Sequence, residues 1–206
     1  MTDTASPRTF ETQVLCETPR ITLTADVIGA ELAATMRHIA MPRLGQALVS
    51  DATVGTASDG RTCHACWFPH DANPTVRTIV ELTSAVAGFD ASLAEQLHVI
   101  RYLVGGQYKP HFDAYRIDTE AGRRCTSRRG QRMHTAILYL NNAAEGGATV
   151  FPRLGIEVPA VVGTVLTFEN CVRGTVTRDE KSLHAGSPVA QGEKWIATLW
   201  FRERAA

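Results

Sequence analysis

Residues 101–113 read Arg101-Tyr-Leu-Val-Gly-Gly-Gln-Tyr-Lys-Pro-His111-Phe-Asp113, and residues 182–200 read Ser182-Leu-His184-Ala-Gly-Ser-Pro-Val-Ala-Gln-Gly-Glu-Lys194-Trp-Ile-Ala-Thr-Leu-Trp200. In an extended strand, side chains two positions apart point to the same side. His111 and Asp113 can therefore converge on one metal ion, while Phe112 turns into the core. His184 would complete a set of two histidines and one carboxylate. Such a set leaves adjacent octahedral positions open, which suits ferrous iron. From these residues alone, an iron site, a zinc site and an ordinary β core all remain open.

The length and composition predict a single soluble domain. The 206 residues are 44% hydrophobic, which is enough for one sizeable core. The 21 basic and 21 acidic residues cancel, so no overall field favours nucleic acid or an anionic membrane as a partner. Charges interrupt the first twenty residues, so we expect no secretory signal and no membrane span, and we expect a cytoplasmic location. No feature of the sequence predicts an oligomeric state.

The cysteines are odd in number and spread along a chain without an apparent export signal, which predicts reduced thiols rather than a disulfide framework. Cys63-His-Ala-Cys66 has the spacing of half a zinc site, but no second pair follows it. We assign this short motif no function. The five cysteines are Cys16, Cys63, Cys66, Cys125 and Cys171.

The periodicity predicts helices first and strands later. One amphipathic helix is predicted from a cap at Thr24-Ala-Asp26 to Ala40, and another from Asn73-Pro74 to Gly88. A strand at 47–50 and a loop at 51–60 are expected between them. The remaining predicted strands are Leu97 to Val104, Thr135 to Leu140, Thr149 to Phe151, Val161 to Phe168 and Trp195 to Phe201.

This pattern predicts an α+β, mainly β fold: a double-stranded β-helix, or jelly roll, with supporting N-terminal helices. We expect one domain over residues 1–206, with a helical part at about 1–95 and the jelly-roll core at about 96–203. Residues 115–132 hold six arginines against two acidic residues. That segment is interpreted either as a solvated, mobile connection or as a lid that contacts an anionic substrate group.

Several further motifs occur in order around the opening stretch. They are Arg61-Thr62 followed by Trp67, Arg132 with Tyr139-Leu140-Asn141, and Glu145-Gly-Gly-Ala-Thr149-Val-Phe-Pro152. On these motifs, roughly residues 60 to 203 resemble the catalytic domain of the prolyl 4-hydroxylases, which are 2-oxoglutarate and iron(II)-dependent oxygenases. The first sixty residues resemble that family only in coarse pattern.

The resemblance implies that His111, Asp113 and His184 bind Fe(II). Related halogenases have a small residue at the position of Asp113, which leaves room for chloride. The carboxylate at this position therefore favours hydroxylation.

The resemblance also implies a site for 2-oxoglutarate. Lys194 would pair with its distal carboxylate, and Tyr102 and Thr149 would add hydroxyl hydrogen bonds. A carboxylate in an apolar barrel needs such a cation because its desolvation is otherwise costly. The positions that match the substrate channel of the family are Tyr108, Arg132 and Trp200.

The activity implied is hydroxylation of a prolyl residue in a peptide or protein, with 2-oxoglutarate and O2 consumed, succinate and CO2 released, and ascorbate as an optional reductant. One alternative is a hydroxylase of free proline, a related cyclic amino acid or another small biosynthetic intermediate. Another is a metal-binding jelly-roll protein that is not an oxygenase, or a zinc hydrolase with the same three ligands. The last two would leave the group of Tyr102, Thr149 and Lys194 unexplained.

Overall fold

The computed structural model describes residues 10–46 and 62–206. The predicted strand at 47–50, the predicted loop at 51–60 and Arg61 lie outside the described residues. Among the described residues, no helix combines the length and the apolar character that crossing a membrane requires.

Two long helices lie on one side of the fold, α1 (Ala30–Ala40) and α2 (Pro74–Ala87). The ends of α2 are as predicted. The Asn73 side chain accepts a hydrogen bond from the Val76 backbone N–H at 3.0 Å, which satisfies one of the free donors of the first turn. Gly88 ends the helix with a φ of 76°, a conformation that costs glycine little.

Helix α1 begins six residues after the predicted cap, so that part of the prediction was wrong. Thr24 is the last residue of a strand, where it pairs with Thr12 on one side and with Val165 on the other. Its hydroxyl lies 2.9 Å from that of Thr12 and is used between strands rather than at a helix end.

The strands form two antiparallel sheets and a two-stranded ribbon. In chain order they are β1 (Thr12–Glu17), β2 (Arg20–Thr24), β3 (Gly45–Gln46), β4 (His64–Phe68), β5 (Leu97–Tyr102), β6 (Tyr108–His111), β7 (Arg132–Tyr139), β8 (Glu145–Gly146), β9 (Thr149–Phe151), β10 (Ile156–Val158), β11 (Val165–Glu169), β12 (His184–Gly186), β13 (Val189–Gln191) and β14 (Lys194–Arg202). The major sheet has the order β1-β2-β11-β7-β14-β5-β4-β3, the minor sheet β10-β9-β12-β6, and the ribbon β13-β8. A short helix α3 (Glu120–Thr126) connects β6 to β7, and 3-10 turns occupy Met41–Arg43, Ala91–Leu93 and Glu180–Ser182.

The mainly β, jelly-roll fold is confirmed, and all five strands predicted after residue 96 are present. Before residue 96, the described residues contribute four strands as well as the helices α1 and α2. None of these four strands was predicted at its observed position. Strand β2 is held by pairing with β11, about 140 residues away in the chain, and no local pattern reports such a partner.

The central strand β14 separates two cores, and all nine of its residues are buried. Because side chains alternate along a strand, Trp195, Ala197 and Leu199 pack against the helices. On the opposite face Ile196 packs in the core between the sheets, on the same side as Lys194 and Trp200. The polar residues considered below lie on that second face.

Candidate metal centre and adjoining pocket

Two histidines and one carboxylate meet at the edge of the minor sheet. His111 ends β6, His184 begins β12, and the two residues face each other directly in the antiparallel pair. The Nε2 atom of His111 lies 3.8 Å from one oxygen of Asp113, and the Nε2 atom of His184 lies 3.7 Å from the other. The three ligand atoms lie within 4.8 Å of one another. This spacing allows all three to bind one ion.

Backbone carbonyls orient both imidazole rings. His111 Nδ1 lies 2.9 Å from the Lys109 carbonyl, and His184 Nδ1 lies 3.0 Å from the Ser182 carbonyl. A carbonyl can only accept, so each Nδ1 carries the proton and each Nε2 presents its lone pair to the centre. Histidine ligands in metalloproteins are commonly held in this way.

Asp113 is buried and hydrogen-bonded. Thr135 donates from its hydroxyl to Asp113 Oδ2 at 2.7 Å, and Asn170 donates in turn to the Thr135 oxygen at 2.8 Å. Burial alone would raise the pKa of Asp113, but the neighbouring histidines, Arg132 and the Thr135 hydrogen bond outweigh it and lower the pKa to about 2. The carboxylate is therefore charged and ready to bind a cation.

The backbone that carries Asp113 to the metal ligands is not the extended strand that was expected. Strand β6 ends at His111, and Asp113 lies in the bend that follows it. Phe112 is only half-buried, with the Arg178 guanidinium 3.8 Å from its ring centroid, so the prediction that it turns into the core was wrong. The register of β6 with β12 brings the ligands together.

Lys194 is a buried cation at the far end of the same pocket. It begins β14 opposite Tyr102 of β5, and its side chain is only 2% exposed. Its Nζ atom lies 3.4 Å from the Thr149 hydroxyl and 5.7 Å from the centroid of each of the Tyr102 and Tyr139 rings. Burial lowers its pKa from 10.5 to about 7. Among the described residues, no carboxylate forms a salt bridge with it.

One pocket connects the metal ligands to Lys194. It is lined by the predicted residues Tyr102, Tyr108, Thr149 and Trp200, together with the three ligands and Lys194. The sequence-based reasoning did not identify its apolar wall of Ile100, Ile137 and Ile196. Polar groups thus stand at both ends of a pocket whose middle is apolar.

The predicted substrate residues occupy two different places. Tyr108 stacks on the His111 ring with centroids 3.4 Å apart, and Trp200 lines the pocket. Arg132 does not line it. Its guanidinium packs over Trp200 at 4.0 Å and binds both oxygens of Glu95, each at 2.7 Å. The direct substrate contact implied for Arg132 therefore stays a prediction.

The arginine-rich segment is partly held by hydrogen bonds within itself and partly by bonds to the rest of the protein. Arg116 pairs with Asp118 at 2.8 Å, and residues 120–126 form α3. Arg129 donates to the carbonyl of Ser92 at 3.0 Å and to that of Ala94 at 3.2 Å. The lid function considered for this segment also stays a prediction.

Three residues that support the site were not predicted to do so. Thr135 and Asn170 hold Asp113 as described above, and Tyr139 donates to the Thr149 hydroxyl at 2.9 Å. Tyr139 and Thr135 belong to β7, where alternation could have placed both on one face with Ile137. Asn170 follows β11 and meets Thr135 only through the pairing of that strand with β7.

An antiparallel jelly roll with two histidines and a carboxylate at the mouth of its pocket defines a class of metal-dependent enzymes, the facial-triad oxygenases. A family model described as the 2OG-Fe(II) oxygenase superfamily matches residues 97–202, which is slightly more than half of the chain. The chain belongs to this superfamily.

The curated relatives include prolyl 4-hydroxylase subunits. The alpha-1 subunit of Gallus gallus is 36% identical over 189 residues, which cover 90% of this chain and 36% of the relative. The alpha-3 subunit of Homo sapiens is 32% identical over 187 residues, which cover 90% of this chain and 34% of the relative. The chain therefore spans about a third of the length of these relatives.

Solved structures of prolyl hydroxylases share the fold. A viral collagen prolyl hydroxylase from Paramecium Bursaria Chlorella virus-1, in its 2OG complex, aligns with a TM-score of 0.71 and 24% identity over 91% of this chain and 98% of its own. A Pseudomonas putida prolyl-4-hydroxylase aligns with a TM-score of 0.61 and 21% identity over 88% of this chain and 92% of its own.

The cofactors of the superfamily are iron(II), 2-oxoglutarate and O2, and the pocket fits them. The two imidazoles and the charged carboxylate form the donor set typical of non-haem ferrous sites. The buried ammonium of Lys194 lacks a carboxylate partner within the described chain, and a dicarboxylic acid would supply one.

Proposed function

We propose that this protein is an iron(II)- and 2-oxoglutarate-dependent hydroxylase of a prolyl residue in a peptide or protein, and that it releases succinate and CO2. The observation that carries the proposal is the position of Lys194. A buried ammonium 3.4 Å from Thr149, in one pocket with three converging metal ligands, needs an anionic ligand that spans the pocket. A zinc hydrolase with the same three ligands has no use for this cation.

We propose the following roles for the residues of the site. His111, Asp113 and His184 hold the iron through the two Nε2 atoms and a carboxylate oxygen. Lys194 binds the distal carboxylate of 2-oxoglutarate, and the hydroxyls of Thr149 and Tyr102 complete its hydrogen bonds. The remaining contacts belong to the substrate.

When bound together, iron(II), 2-oxoglutarate and O2 supply the oxidising power that replaces a C–H hydrogen of the substrate with a hydroxyl group. The protein positions the groups and excludes water. Ile100, Ile137 and Ile196 surround the middle of the pocket with apolar side chains. Tyr108 and Trp200 would orient the prolyl ring, with Arg132 fixing the Trp200 ring from behind.

The preference for a peptide or protein substrate rests on the relatives, which are named as prolyl 4-hydroxylase subunits. A further solved structure with the same fold, at a TM-score of 0.65 and 13% identity, is a prolyl hydroxylase in complex with a peptide fragment of a hypoxia inducible factor. We also propose a cytoplasmic location, which the five free cysteine thiols support.

The test is reconstitution of the protein with ferrous iron under argon, followed by addition of 2-oxoglutarate, ascorbate and air. Proline-rich peptides, free proline and pipecolate are offered in parallel, and products are measured by mass. We expect the peptide to gain one oxygen with release of succinate. Oxidation of free proline alone would replace the peptide by a small-molecule substrate. No oxidised product, with no succinate above the metal-free control, would contradict the oxygenase function.

A further inference from the structure

Arginine side chains gather on the surface where α3 ends and the chain leads into β7. Residues 115–132 hold six arginines against two acidic residues, although the chain as a whole has no net charge. The proposed function gives no role to most of these arginines. A local excess of positive charge in a neutral protein is a candidate binding surface for an anionic partner.

The chain beyond β14 adds a further arginine to this surface. The Arg204 backbone N–H donates to the Arg129 carbonyl at 3.1 Å, and Arg204 Nε donates to the Arg128 carbonyl at 3.4 Å. Arg129 Nε in turn donates to the Arg204 carbonyl at 3.3 Å. These bonds hold the two segments side by side. We call Arg124, Arg128, Arg129 and Arg204 the arginine patch.

Three members of the arginine patch, Arg124, Arg128 and Arg204, are exposed. In the part of the chain that the structure describes, no carboxylate forms a salt bridge with any of them. Arg124 lies in the last turn of α3, where a positive charge favours the helix dipole. Arg128 and Arg204 lie beyond the helix, so this effect does not account for them. Their charges are available to a partner outside the protein.

Nearby carboxylates offset only part of the positive charge. Glu95 accepts two hydrogen bonds from Arg132 and one from Arg202, each at 2.7 Å. A Glu203 oxygen accepts from the Gln131 backbone N–H at 2.6 Å. Residues 115–132, Glu95 and the end of β14 at 202–204 together hold eight arginines and four acidic residues. An excess of four positive charges remains.

The arginine patch lies beyond the metal end of the pocket. Trp200 pairs with Thr135, whose hydroxyl supports a metal ligand. Arg202 follows Trp200 on the same face of β14 and donates to the Cys125 carbonyl of α3 at 2.7 Å. Arg204 is four residues past Trp200 and therefore at most about 14 Å from it along the chain. A substrate whose reacting residue contacts Trp200 can reach the patch with residues about four positions away.

The backbone that carries the arginine patch is held in place. The Thr119 hydroxyl accepts from the Gly122 N–H at 3.1 Å at the start of α3, and the Thr126 hydroxyl donates to the Gly122 carbonyl at 2.9 Å. A partner therefore meets an ordered surface, which reduces the entropy lost on binding. This favours a fixed docking surface over a closing lid.

The chemistry of the arginine patch suits carboxylates on a short segment. A planar guanidinium can donate two parallel hydrogen bonds to one carboxylate. A single exposed pair contributes little, but several charges of one sign also attract a partner before contact. Helix α3 has seven residues, a length of about 10 Å. So small a patch on a neutral protein matches a few acidic side chains better than the long charged backbone of a nucleic acid.

We propose that the arginine patch binds acidic side chains of the substrate, about three to five residues from the reacting proline. The inference rests on the proposed function and narrows its substrate class to prolyl segments with an acidic flank. The patch contributes to affinity and to the rate of association, and it takes no part in the chemical step.

The test uses two peptides, each with one central proline. At positions three to five on both sides, one peptide carries glutamates and the other carries glutamines of similar size. The patch variant is Arg124→Gln/Arg128→Gln, and Arg77→Gln/Lys181→Gln removes the same charge at exposed positions outside the patch. We expect the wild type to show a KM about tenfold lower for the glutamate peptide, with equal kcat. The patch variant should lose most of this preference, and the control variant should keep it.

A charge exchange separates recognition from a structural role. Arg124→Glu/Arg128→Glu should bind a third peptide, with lysines in place of the glutamates, more tightly than the wild type does. Fluorescence anisotropy of labelled peptides with metal-free protein measures binding apart from catalysis. The preference of the wild type for glutamate should shrink in about 0.5 M salt, because exposed charges are then screened.

Thermal unfolding of every variant is recorded. Should a double variant not fold, Arg128→Gln alone lies outside the helix and is expected to lose part of the preference.

The outcomes separate the two claims. Hydroxylation of both peptides with equal KM overturns the inference and leaves the proposed function intact. An equal loss of preference in the patch and control variants also overturns it. So would binding of a short RNA, but not of the glutamate peptide, that the patch variant loses. Selective binding of the glutamate peptide by the wild type, without hydroxylation, supports the inference as a binding site and contradicts the proposed activity.

Discussion

The two ends of the pocket differ in how their charged groups are paired. At the metal end, the Asp113 carboxylate faces two imidazoles and accepts a hydrogen bond from Thr135. At the other end, the Lys194 ammonium has no carboxylate partner among the described residues. Both groups are buried, so both have lost the stabilisation of water. The pKa of Asp113 is lowered to about 2 because its neighbours compensate for burial. That of Lys194 is lowered to about 7 because nothing compensates.

This difference indicates how the two ends are used. The metal end is a prearranged set of donors, each oriented by a hydrogen bond to the rest of the protein. The Lys194 end keeps an uncompensated charge whose cost a bound dicarboxylate would relieve. The pocket is therefore asymmetric, and mutations at its two ends are expected to have different effects.

The largest effect is expected at the metal end. Asp113→Ala removes the only carboxylate of the triad. Loss of a residue that merely supports a ligand typically weakens metal binding by about 10- to 100-fold, and loss of the ligand itself should weaken iron binding by more than that. Hydroxylation should fall below detection. Equilibrium dialysis under argon measures the metal, and Asp118→Ala, at an exposed position of the following segment, is the control. Full iron binding by Asp113→Ala would remove Asp113 from the ligand set.

The second effect separates the two ends. Lys194→Met should abolish the response to 2-oxoglutarate while iron binding persists, because Lys194 lies at the opposite end of the pocket from the ligands. The free energy of unfolding without ligand should rise by about 1 to 3 kcal/mol, since an unpaired buried polar group is replaced by an apolar one. Chemical denaturation and succinate release are measured, with the exposed Lys181→Met as control. Loss of iron binding in Lys194→Met would contradict the separation.

A smaller effect is expected behind the ligands. Thr135→Val removes the hydrogen bond to Asp113 Oδ2, and iron affinity should fall by about 10- to 100-fold. Thr135→Ser keeps the hydroxyl and should restore most of that affinity. Thr167→Val, on the neighbouring strand, removes a contact with Thr22 far from the ligands and should leave iron binding unchanged. Equal affinities for Thr135→Val and Thr135→Ser would show that the hydroxyl does not support Asp113.

The last effect is a pH dependence at the Lys194 end. Between its folded pKa of about 7 and its ordinary value of 10.5, Lys194 binds a proton in the unfolded chain and not in the folded one. Its contribution to the free energy of unfolding should therefore increase as the pH rises through this window. The difference between wild type and Lys194→Met, followed by denaturation from pH 7 to pH 10, isolates this contribution. Saturating 2-oxoglutarate should reduce it, because a carboxylate beside Lys194 favours the charged form. A difference independent of pH would contradict the lowered pKa.

The strand pattern was more informative about the site than about the fold as a whole. Alternation along β14 accounts for the shared face of Lys194 and Trp200, since both line the pocket. Strand alternation predicted that the side chains of His111 and Asp113 converge, and they do. The reason was partly wrong, because the strand ends at His111, before Asp113. Strand β2 escaped prediction because its second partner, β11, is distant in the chain, and β1 pairs only with β2.

The sequence by itself determined the mainly β architecture, the ends of α2 and the residue types of the triad and of Lys194, since periodicity, capping and ligand chemistry are local properties. Only the tertiary structure decided which buried charged groups have partners that offset the loss of water. The pairing of β6 with β12, of β7 with β11 and of β14 with β5 brings together residues as much as 100 positions apart, as for His98 and Thr198. These pairings surround Asp113 with partners and leave Lys194 without a carboxylate in the described chain, because the charge balance of a buried group depends on neighbours that only the folded chain supplies.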